Sequence, residues 1–289
     1  MTRRELISWG TKQLEQSCID NAKGDAWTLF EFVTNISKLD YLVAGEVEVS
    51  KEEKEKYEQL IQKRMSHIPL QHITNVQAFM GFDFFVNEHV LIPRQDTETL
   101  IEEVLEHKKN AHTVLDLCTG SGCIAISLAL LGQYEEVYAI DLSEKALEVA
   151  EKNKLDLIKQ EKVEMVDHVH MLRSNLFEAV PKTKKFDLIV SNPPYIKTAV
   201  CETLMEEVRV HEPRMALDGM EDGLYFYREI IKEAREYLSE DSWLFFEIGH
   251  DQGEEVKELF SQYKEYEKIQ VKKDLAGLDR IVFAHFNRK

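Results

Sequence analysis

The chain has 289 residues, and its 36 Lys and Arg against 53 Asp and Glu leave a formal net charge of −17. This balance disfavours a general nucleic-acid binder, because neutralising phosphates requires a clustered basic surface. Hydrophobic residues make up 44% of the chain, which is enough for a sizeable core and excludes a disordered protein. At roughly 100–200 residues per domain, the length allows one large domain or two of unequal size.

The cysteines and the apolar segments indicate a cytoplasmic protein without a metal site. Cys18, Cys118, Cys123 and Cys201 form no C-x-x-C pair, so neither a zinc site nor a disulfide framework is expected. No apolar segment follows the charged N-terminus, and the longest apolar stretch is far shorter than the ~20 residues that cross a bilayer. We therefore expect no export signal and no membrane anchor.

The first part of the chain is predicted to form a helical domain, followed by a hairpin. Apolar residues recur at helical spacing from Glu5 to about Met65. From Gln77 to Val90, alternating apolar residues predict a β-hairpin that connects two domains. The acidic residues from Asp96 then predict a helix N-terminus, where the macrodipole favours negative charge.

From His112 onward, predicted strands alternate with predicted helices. This pattern predicts a mostly parallel sheet with helices on both faces and ligands at the carboxyl ends of the strands. The loop between the last two strands is too short for a parallel crossover, so these two should be antiparallel. The strands are predicted at Thr113 to Leu117, Glu136 to Ile140, His168 to Leu172, Phe186 to Val190, Trp243 to Ile248, Tyr266 to Val271 and Arg280 to Phe286, and the helices at Gly122 to Leu131, Ser143 to Leu157 and Gly223 to Leu238.

A nucleoside-binding site is predicted after the first two strands of this sheet. The first strand runs into a loop with Gly120 and Gly122, which allow close approach of a ligand, and the next helix offers free N–H donors. Asp141 ends the second strand, where an acid can accept both hydroxyls of a ribose. Gly120-x-Gly122-x-x-Ala125 also satisfies the dinucleotide fingerprint, so an NAD enzyme is an alternative at this point.

The segment Asn192-Pro193-Pro194-Tyr195 follows the fourth strand and predicts a rigid set of hydrogen-bond acceptors. Its prolines fix φ and lack N–H groups. The Asn192 side-chain oxygen and the Pro193 carbonyl can accept both hydrogens of one planar amino group, on which Tyr195 can stack. These bonds would raise the electron density on a weakly nucleophilic nitrogen and orient it toward an electrophile. The alternative is an Asn-Pro turn that only ends the strand.

Together these motifs resemble those of class I S-adenosylmethionine-dependent methyltransferases that modify planar nitrogens. Two groups of these enzymes share the tetrapeptide: adenine-N6 methyltransferases of nucleic acids and protein glutamine methyltransferases. Across essentially the whole chain, the sequence resembles the PrmC/HemK family, which methylates the glutamine of the Gly-Gly-Gln tripeptide in class I peptide chain release factors. The segments that carry this resemblance begin at Ile68, Gly81, Val90, His211 and Asp274.

The resemblance implies a Rossmann-like fold of about seven strands with the last antiparallel, S-adenosylmethionine as cofactor and release factors as protein substrates. It implies a helical substrate-recognition domain at 1–74, a hairpin connector at 75–95 and a methyltransferase domain at 96–289. The implied catalytic residues are Asn192, Pro193 and Tyr195, and the implied substrate-binding residues are Asn192, Pro193, Pro194 and Tyr195. The implied cofactor-binding residues are Cys118, Thr119, Gly120, Ser121, Gly122, Asp141, Asn175, Leu176 and Asn192.

The chain departs from the family pattern at several of these positions. Cys118 stands where the family often has Gly, and it fits the loop if its φ is negative. Asn175 stands where Asp is common, Leu176 where an aromatic residue can cover the adenine, and Gln95 where a second Pro is frequent. His211 lies in a family-like segment, where packing in a loop and catalysis are the two interpretations.

Two alternatives stay open beside a monomeric release factor glutamine methyltransferase. One is an adenine-N6 nucleic-acid methyltransferase, which the negative net charge disfavours. The other is a cofactor-binding interaction protein without turnover. An NAD dehydrogenase is disfavoured, because nothing after the fourth strand offers an acid or base for hydride transfer.

Overall fold

The computed structural model describes residues 1–161 and 168–288. The apolar periodicity of the first 76 residues corresponds to five helices. Thr2 and Ser50 each begin a helix with a capping box, in which the cap hydroxyl accepts from the N–H three residues later. The carboxylate at that later position accepts from the N–H of the cap. The helices are α1 (Arg3–Gln16), α2 (Ala22–Thr34), α3 (Lys38–Ala44), α4 (Lys51–Met65) and α5 (Leu70–Thr74).

An ion pair is buried within the unit that contains these helices. The Nε of Arg64 donates to Asp25 at 2.7 Å, and both side chains are less than 9% exposed. Arg64 also pairs with Glu207 at 2.7 Å, because a later segment packs with the helices. By their contacts, the residues form two units, which are Met1–Val76 with Met205–His211 and Gln77–Leu204 with Glu212–Lys289.

The predicted hairpin lies at the start of the second unit, apart from Val76, which belongs to the first. Its strands β1 (Val76–Phe79) and β2 (Phe82–Phe85) form a two-stranded sheet. Met80 and Gly81 join them with positive φ at both positions, as in the turns whose twist matches that of a hairpin. The ring of Phe84 is fully buried in an apolar cluster of the second unit, so the hairpin packs as part of this unit.

Seven strands form one sheet in the order β5-β4-β3-β6-β7-β9-β8. Neighbouring strands are parallel except at β9, which is antiparallel to both β7 and β8. From β3 the chain adds β4 and β5 on one side of the sheet and then β6 and β7 on the other. The carboxyl ends of β3 and β6 therefore form the switch point at which such sheets bind ligands. The strands are β3 (Asn110–Leu117), β4 (Gln133–Asp141), β5 (Val169–Arg173), β6 (Phe186–Ser191), β7 (Leu238–Glu247), β8 (Tyr266–Lys273) and β9 (Asp279–Phe286).

Helices cover both faces of this sheet. Successive residues of a strand point to opposite faces, so Val114 joins one buried apolar cluster and Leu115 the other. The predicted strands and helices are all present, with ends that differ by up to five residues, whereas the amphipathic helix Gly253–Ser261 was not predicted. The helices are α6 (Gln95–Lys108), α7 (Cys123–Leu131), α8 (Glu144–Glu161), α9 (Thr198–Cys201), α10 (Glu206–His211), α11 (Tyr225–Ala234) and α12 (Gly253–Ser261). Over residues 1–161 and 168–288, no helix combines the length and hydropathy needed to cross a membrane.

Candidate active site

The loop from Cys118 to Gly122 joins β3 to α7 at the switch point of the sheet. The Thr119 hydroxyl donates to Oδ2 of Asp116 at 2.6 Å, and the same oxygen accepts from the backbone of Ala125 at 3.2 Å. Asp116 therefore ties the end of the strand to the loop and to the first turn of α7. This carboxyl is fully buried, and burial raises its pKa to about 7. The loop is held in its conformation by bonds within the protein.

The two glycines of the loop have different roles. At Gly120, with φ +55°, none of the described atoms lies within 4 Å of the position that a Cβ would take. At Gly122, with φ +80°, a Cβ would lie 3.0 Å from Ile126 and 3.1 Å from Ala150. Gly120 thus leaves space for a ligand, whereas Gly122 allows the loop to pack closely against Ile126 and Ala150.

Alanine at these two glycines should therefore have different effects. Gly122→Ala is expected to lower the free energy of unfolding by about 2–3 kcal/mol, since backbone strain and overpacking add. Gly120→Ala should cost only about 1 kcal/mol in strain and lower the affinity for the predicted cofactor by about tenfold or more. Denaturant unfolding and titration calorimetry of both variants test this difference. Equal effects on stability would contradict it.

The fit of Cys118 to the loop was predicted to require a negative φ, but its φ is positive. Its φ is +62°, in the left-handed region, which costs an L-residue with a β-carbon about 1–2 kcal/mol. Burial raises the pKa of its thiol, so the side chain is neutral. Leu176 is also left-handed, with φ +47°. Glycine would adopt this conformation without that cost.

Asp141 ends β4 beside this loop. Its Oδ2 accepts from the backbone N–H of Gly120, and its Oδ1 accepts from the backbone N–H of Ser143, both at 2.9 Å. Burial raises the pKa of the carboxyl, and these backbone bonds oppose that shift. Each carboxylate oxygen can accept a second hydrogen bond. Asp141 can therefore hold the loop and bind ligand hydroxyls at the same time.

Asn175 and Leu176 follow β5 and border the same space. The Nδ2 of Asn175 donates to Glu178 at 2.8 Å, which leaves its side-chain oxygen as the acceptor for a ligand amine. This arrangement allows the adenine contact predicted for Asn175.

One cavity of about 480 Å³ in the second unit brings most of the predicted residues together. This volume lies in the range of small-molecule and cofactor sites, about 300–1,000 Å³. Gly122, Pro193 and Tyr195 are outside its lining. His211 is also outside it, at the end of α10 in the first unit. The predicted residues in the lining are Cys118, Thr119, Gly120, Ser121, Asp141, Asn175, Leu176, Asn192 and Pro194.

Asn192 reaches this cavity from the end of β6. The Ser191 hydroxyl donates to the Leu117 carbonyl at 2.7 Å, which fixes the end of β6 beside the end of β3. The Nδ2 of Asn192 donates to Oγ1 of Thr97 on α6 at 3.4 Å. The Oδ1 of Asn192 is therefore the side-chain atom that is left to accept a hydrogen bond from a ligand.

The backbone after Asn192 is held on several sides. The side-chain amide of Gln252 donates to the Tyr195 carbonyl at 3.1 Å. A Cβ at Gly219 would lie 2.7 Å from the Cα of Tyr195, so only glycine fits there. The Tyr195 hydroxyl donates to the Glu247 carboxyl at 3.3 Å, and its ring packs against an apolar cluster. Stacking of Tyr195 on a substrate amide stays a prediction.

Sequence reasoning missed several polar residues that support this site. Asn153 of α8 is buried, and its Nδ2 donates to the carbonyls of Ser121 at 2.8 Å and Phe85 at 3.0 Å. It thereby links the loop to the hairpin. Arg94 lines the cavity, and its guanidinium donates to the buried Glu212 at 2.6 Å. An asparagine on the apolar face of a helix was the signal that could have identified Asn153.

The sheet order, the antiparallel β9, the glycine loop and the acid at the end of β4 define the class I methyltransferase fold. A solved methyltransferase structure from Pyrococcus furiosus has this fold, with a TM-score of 0.53 and 18% identity over 79% of this chain and 100% of that one. Residues 5–74 match the PrmC N-terminal domain, and residues 95–218 match the methyltransferase small domain.

Curated relatives identify the family. Release factor glutamine methyltransferase from Clostridium botulinum is 38% identical over 98% of this chain and 99% of its own length. The enzyme of that name from Leptospira interrogans is 39% identical over 96% of each chain. The chain belongs to the release factor glutamine methyltransferase family. The predicted fold class and the resemblance to this family are thereby confirmed.

Proposed function

We propose that this chain transfers a methyl group from S-adenosylmethionine to the side-chain amide nitrogen of the glutamine in the Gly-Gly-Gln tripeptide of class I peptide chain release factors. The observation that carries the proposal is the position of Asn192, whose acceptor oxygen shares one cavity with the Cys118 loop and Asp141. The names of the relatives support this function over adenine methylation or binding without turnover.

The residues around the cavity fit S-adenosylmethionine by their chemistry. Gly120 leaves room for the ligand beside the backbone, and Asp141 offers carboxylate acceptors for ribose hydroxyls. Asn175 offers an acceptor for the adenine amine. We propose Cys118, Thr119, Ser121, Gly122 and Leu176 as the other residues that shape this part of the site.

The proposed reaction depends on orientation of the glutamine amide. Bound S-adenosylmethionine supplies an electrophilic methyl group: the nitrogen forms a bond to its carbon while the carbon–sulfur bond breaks, the sulfur keeps that electron pair, and a nitrogen proton leaves to solvent. Asn192 and the Pro193 carbonyl accept the two amide hydrogens, which raises electron density on the nitrogen. Pro194 stiffens this turn, and Tyr195 covers the amide plane. No side chain is required as a base.

Labelled methyl transfer tests this function directly. The protein is incubated with S-adenosylmethionine labelled in its methyl group and a purified class I release factor. We expect label on the glutamine of the tripeptide and none on a release factor in which alanine replaces that glutamine. A parallel incubation with adenine-containing DNA tests the nucleic-acid alternative. Label on DNA alone, or on neither substrate beside an active control enzyme, would overturn the proposal.

The helical unit is proposed to recognise the release factor. All residues of α3 are at least partly exposed, and Leu39, Leu42 and Val43 are 72%, 70% and 85% exposed. Contiguous exposed apolar side chains mark protein interaction sites. In this proposal, residues 1–74 bind the substrate, 75–95 connect the parts and 96–289 carry out the chemistry.

Serine at Leu39, Leu42 and Val43 should weaken substrate binding. We expect KM for the release factor to rise about tenfold, equivalent to about 1.4 kcal/mol, with kcat unchanged because α3 is outside the cavity. Steady-state kinetics test this expectation. The control carries alanine at Lys51 and Glu55, an exposed pair on α4. An unchanged KM in the serine variant would contradict recognition through α3.

The cytoplasmic location and the monomeric state stay predictions. The support for the location is the spacing of the four cysteines, which is not that of a disulfide framework. Size-exclusion chromatography with light scattering measures the oligomeric state.

A further inference from the structure

Glu247 is a buried carboxyl at the end of β7, behind the wall of the cavity. It is 1% exposed, and its Oε1 accepts from the Tyr195 hydroxyl at 3.3 Å. Thr97 lines the cavity, and its hydroxyl lowers the pKa of the same carboxyl against the effect of burial. Among the described residues, the buried Oε2 of Glu247 has no hydrogen-bond partner. A buried carboxylate oxygen needs a donor, and the Thr97 hydroxyl is available for that role.

The direction of these hydrogen bonds fixes the side chain of Asn192. An ionised carboxyl can only accept, so the Tyr195 hydroxyl donates to Oε1, and we assign the hydrogen of the Thr97 hydroxyl to Oε2. The Oγ1 of Thr97 can then only accept from Asn192, as it does from Nδ2 at 3.4 Å. The Oδ1 of Asn192 is thereby left as the acceptor for the ligand.

A neutral group in place of the carboxylate would remove this constraint. A protonated carboxyl or a carboxamide can donate to Thr97, whose own hydrogen is then free to turn toward Asn192. The amide of Asn192 could then rotate by half a turn. That rotation places a donor where the substrate nitrogen requires an acceptor.

We propose that Glu247 is a positioning residue for methyl transfer, which orients the Asn192 amide through Thr97 and holds the Tyr195 ring directly. This inference rests on the proposed function and adds two residues to its site. Glu247 is outside the cavity lining and is buried, so we place it behind Thr97 and Tyr195 and not against the substrate.

The surroundings of Glu247 make its ionisation sensitive to pH near neutrality. Burial raises its pKa to about 7, while the bond from Thr97 and the charge of Arg280 oppose the shift. Arg280 is itself paired with Asp96 at 3.2 Å and Asp274 at 3.1 Å. The titratable and charged groups that face the carboxyl from neighbouring elements are Asp96, Cys123, Tyr195, Tyr227 and Arg280.

The ionised form of Glu247 is the one that orients Asn192, and this determines how kcat changes with pH. As pH rises through the pKa of Glu247, kcat should rise, and below that pKa it should fall. The pKa of Asp116 is also raised to about 7 by burial, so a pH dependence in the wild type alone does not identify the group. Substitution of Glu247 identifies it.

The test combines rates with pH profiles. Glu247→Gln should lower kcat by about tenfold or more, leave cofactor affinity unchanged and abolish the rise of kcat near pH 7. Thr97→Val should behave in the same way, and Thr97→Ser, which keeps the hydroxyl, should recover most of the loss. Glu103→Gln is the control, because it removes a buried carboxylate of α6 that is outside the cavity. It should keep the wild-type rate and profile.

Each outcome decides between the two proposals. If the wild type does not methylate a release factor, the proposed function fails and this inference fails with it. If the wild type is active but Glu247→Gln keeps its rate and pH profile, this inference alone is overturned. Melting temperatures of the variants show whether they fold. Should Glu247→Gln not fold, the Thr97→Val and Thr97→Ser pair decides, and equal rates in that pair would overturn the inference.

Discussion

Replacing Asn192 with alanine should lower kcat for glutamine methylation by about 100- to 1,000-fold, the usual loss when one oriented hydrogen-bonding group is removed from a catalytic site. The variant loses the acceptor oxygen that faces the ligand while Nδ2 is engaged by Thr97. The cofactor loop and Asp141 are untouched, so the affinity for S-adenosylmethionine should stay measurable. Single-turnover methyl transfer and calorimetry test the two expectations separately.

A matched control for this substitution is Asn110→Ala, at the exposed start of β3. It should retain the wild-type rate. A near-normal rate in Asn192→Ala would show that the tetrapeptide does not hold the substrate amide. A complete loss of cofactor binding would show instead that Asn192 acts mainly on the cofactor.

Replacing Asp141 with alanine should weaken S-adenosylmethionine binding by about 100-fold or more. The variant loses the acceptor for the backbone N–H of Gly120 and the proposed acceptor for the ribose hydroxyls. Hydrogen bonds to charged groups contribute about 1.5–3 kcal/mol each, and two such bonds account for this loss. Titration calorimetry measures the affinity directly.

The control for Asp141 is Asp156→Ala, which removes a partly exposed carboxylate that pairs, among the described residues, with Lys152 one helical turn away. Its affinity for the cofactor should equal that of the wild type. If Asp141→Ala bound the cofactor as tightly as this control, the ribose role of Asp141 would be wrong.

These two predictions separate the two halves of the site. Asp141 ends β4 and Asn192 follows β6, on opposite sides of the central β3. One substitution is expected to act on cofactor affinity, and the other on the rate of the chemical step. The switch point of the sheet brings these two residues together. The connections of the chain run to opposite sides of β3 there, which opens a crevice at the carboxyl ends of the strands.

The fold was largely predictable because its signals are local and periodic. A buried parallel strand such as β6 is a continuous apolar run, and a short loop between the last two strands excludes a parallel pair. The place of β9 between β7 and β8 was not predicted. Strand order depends on which edges pair across the whole sheet, and this information is absent from any short window of sequence.

Site residues were predictable where they belong to a motif at the end of a strand. They were not predictable where a single buried polar side chain supports the site from behind. Asp141 and Asn192 follow buried strands, and their positions indicated ligand contacts. The left-handed φ of Cys118 was not predicted, because a loop between a strand and a helix does not fix φ at a non-glycine residue. Asn153 and Glu247 are single polar residues in apolar segments, and only packing shows what they contact.

The sequence by itself determined the class of protein, since the order of strands and helices, the glycine loop and the tetrapeptide are all local patterns. Its acidic composition disfavoured nucleic acid as a partner from the start. Only the tertiary structure decided which atoms of those motifs remain available to a ligand. The reason is that the polarity of each hydrogen bond depends on its partner, and partners such as Thr97 and Asn192 are brought together across 95 residues of chain.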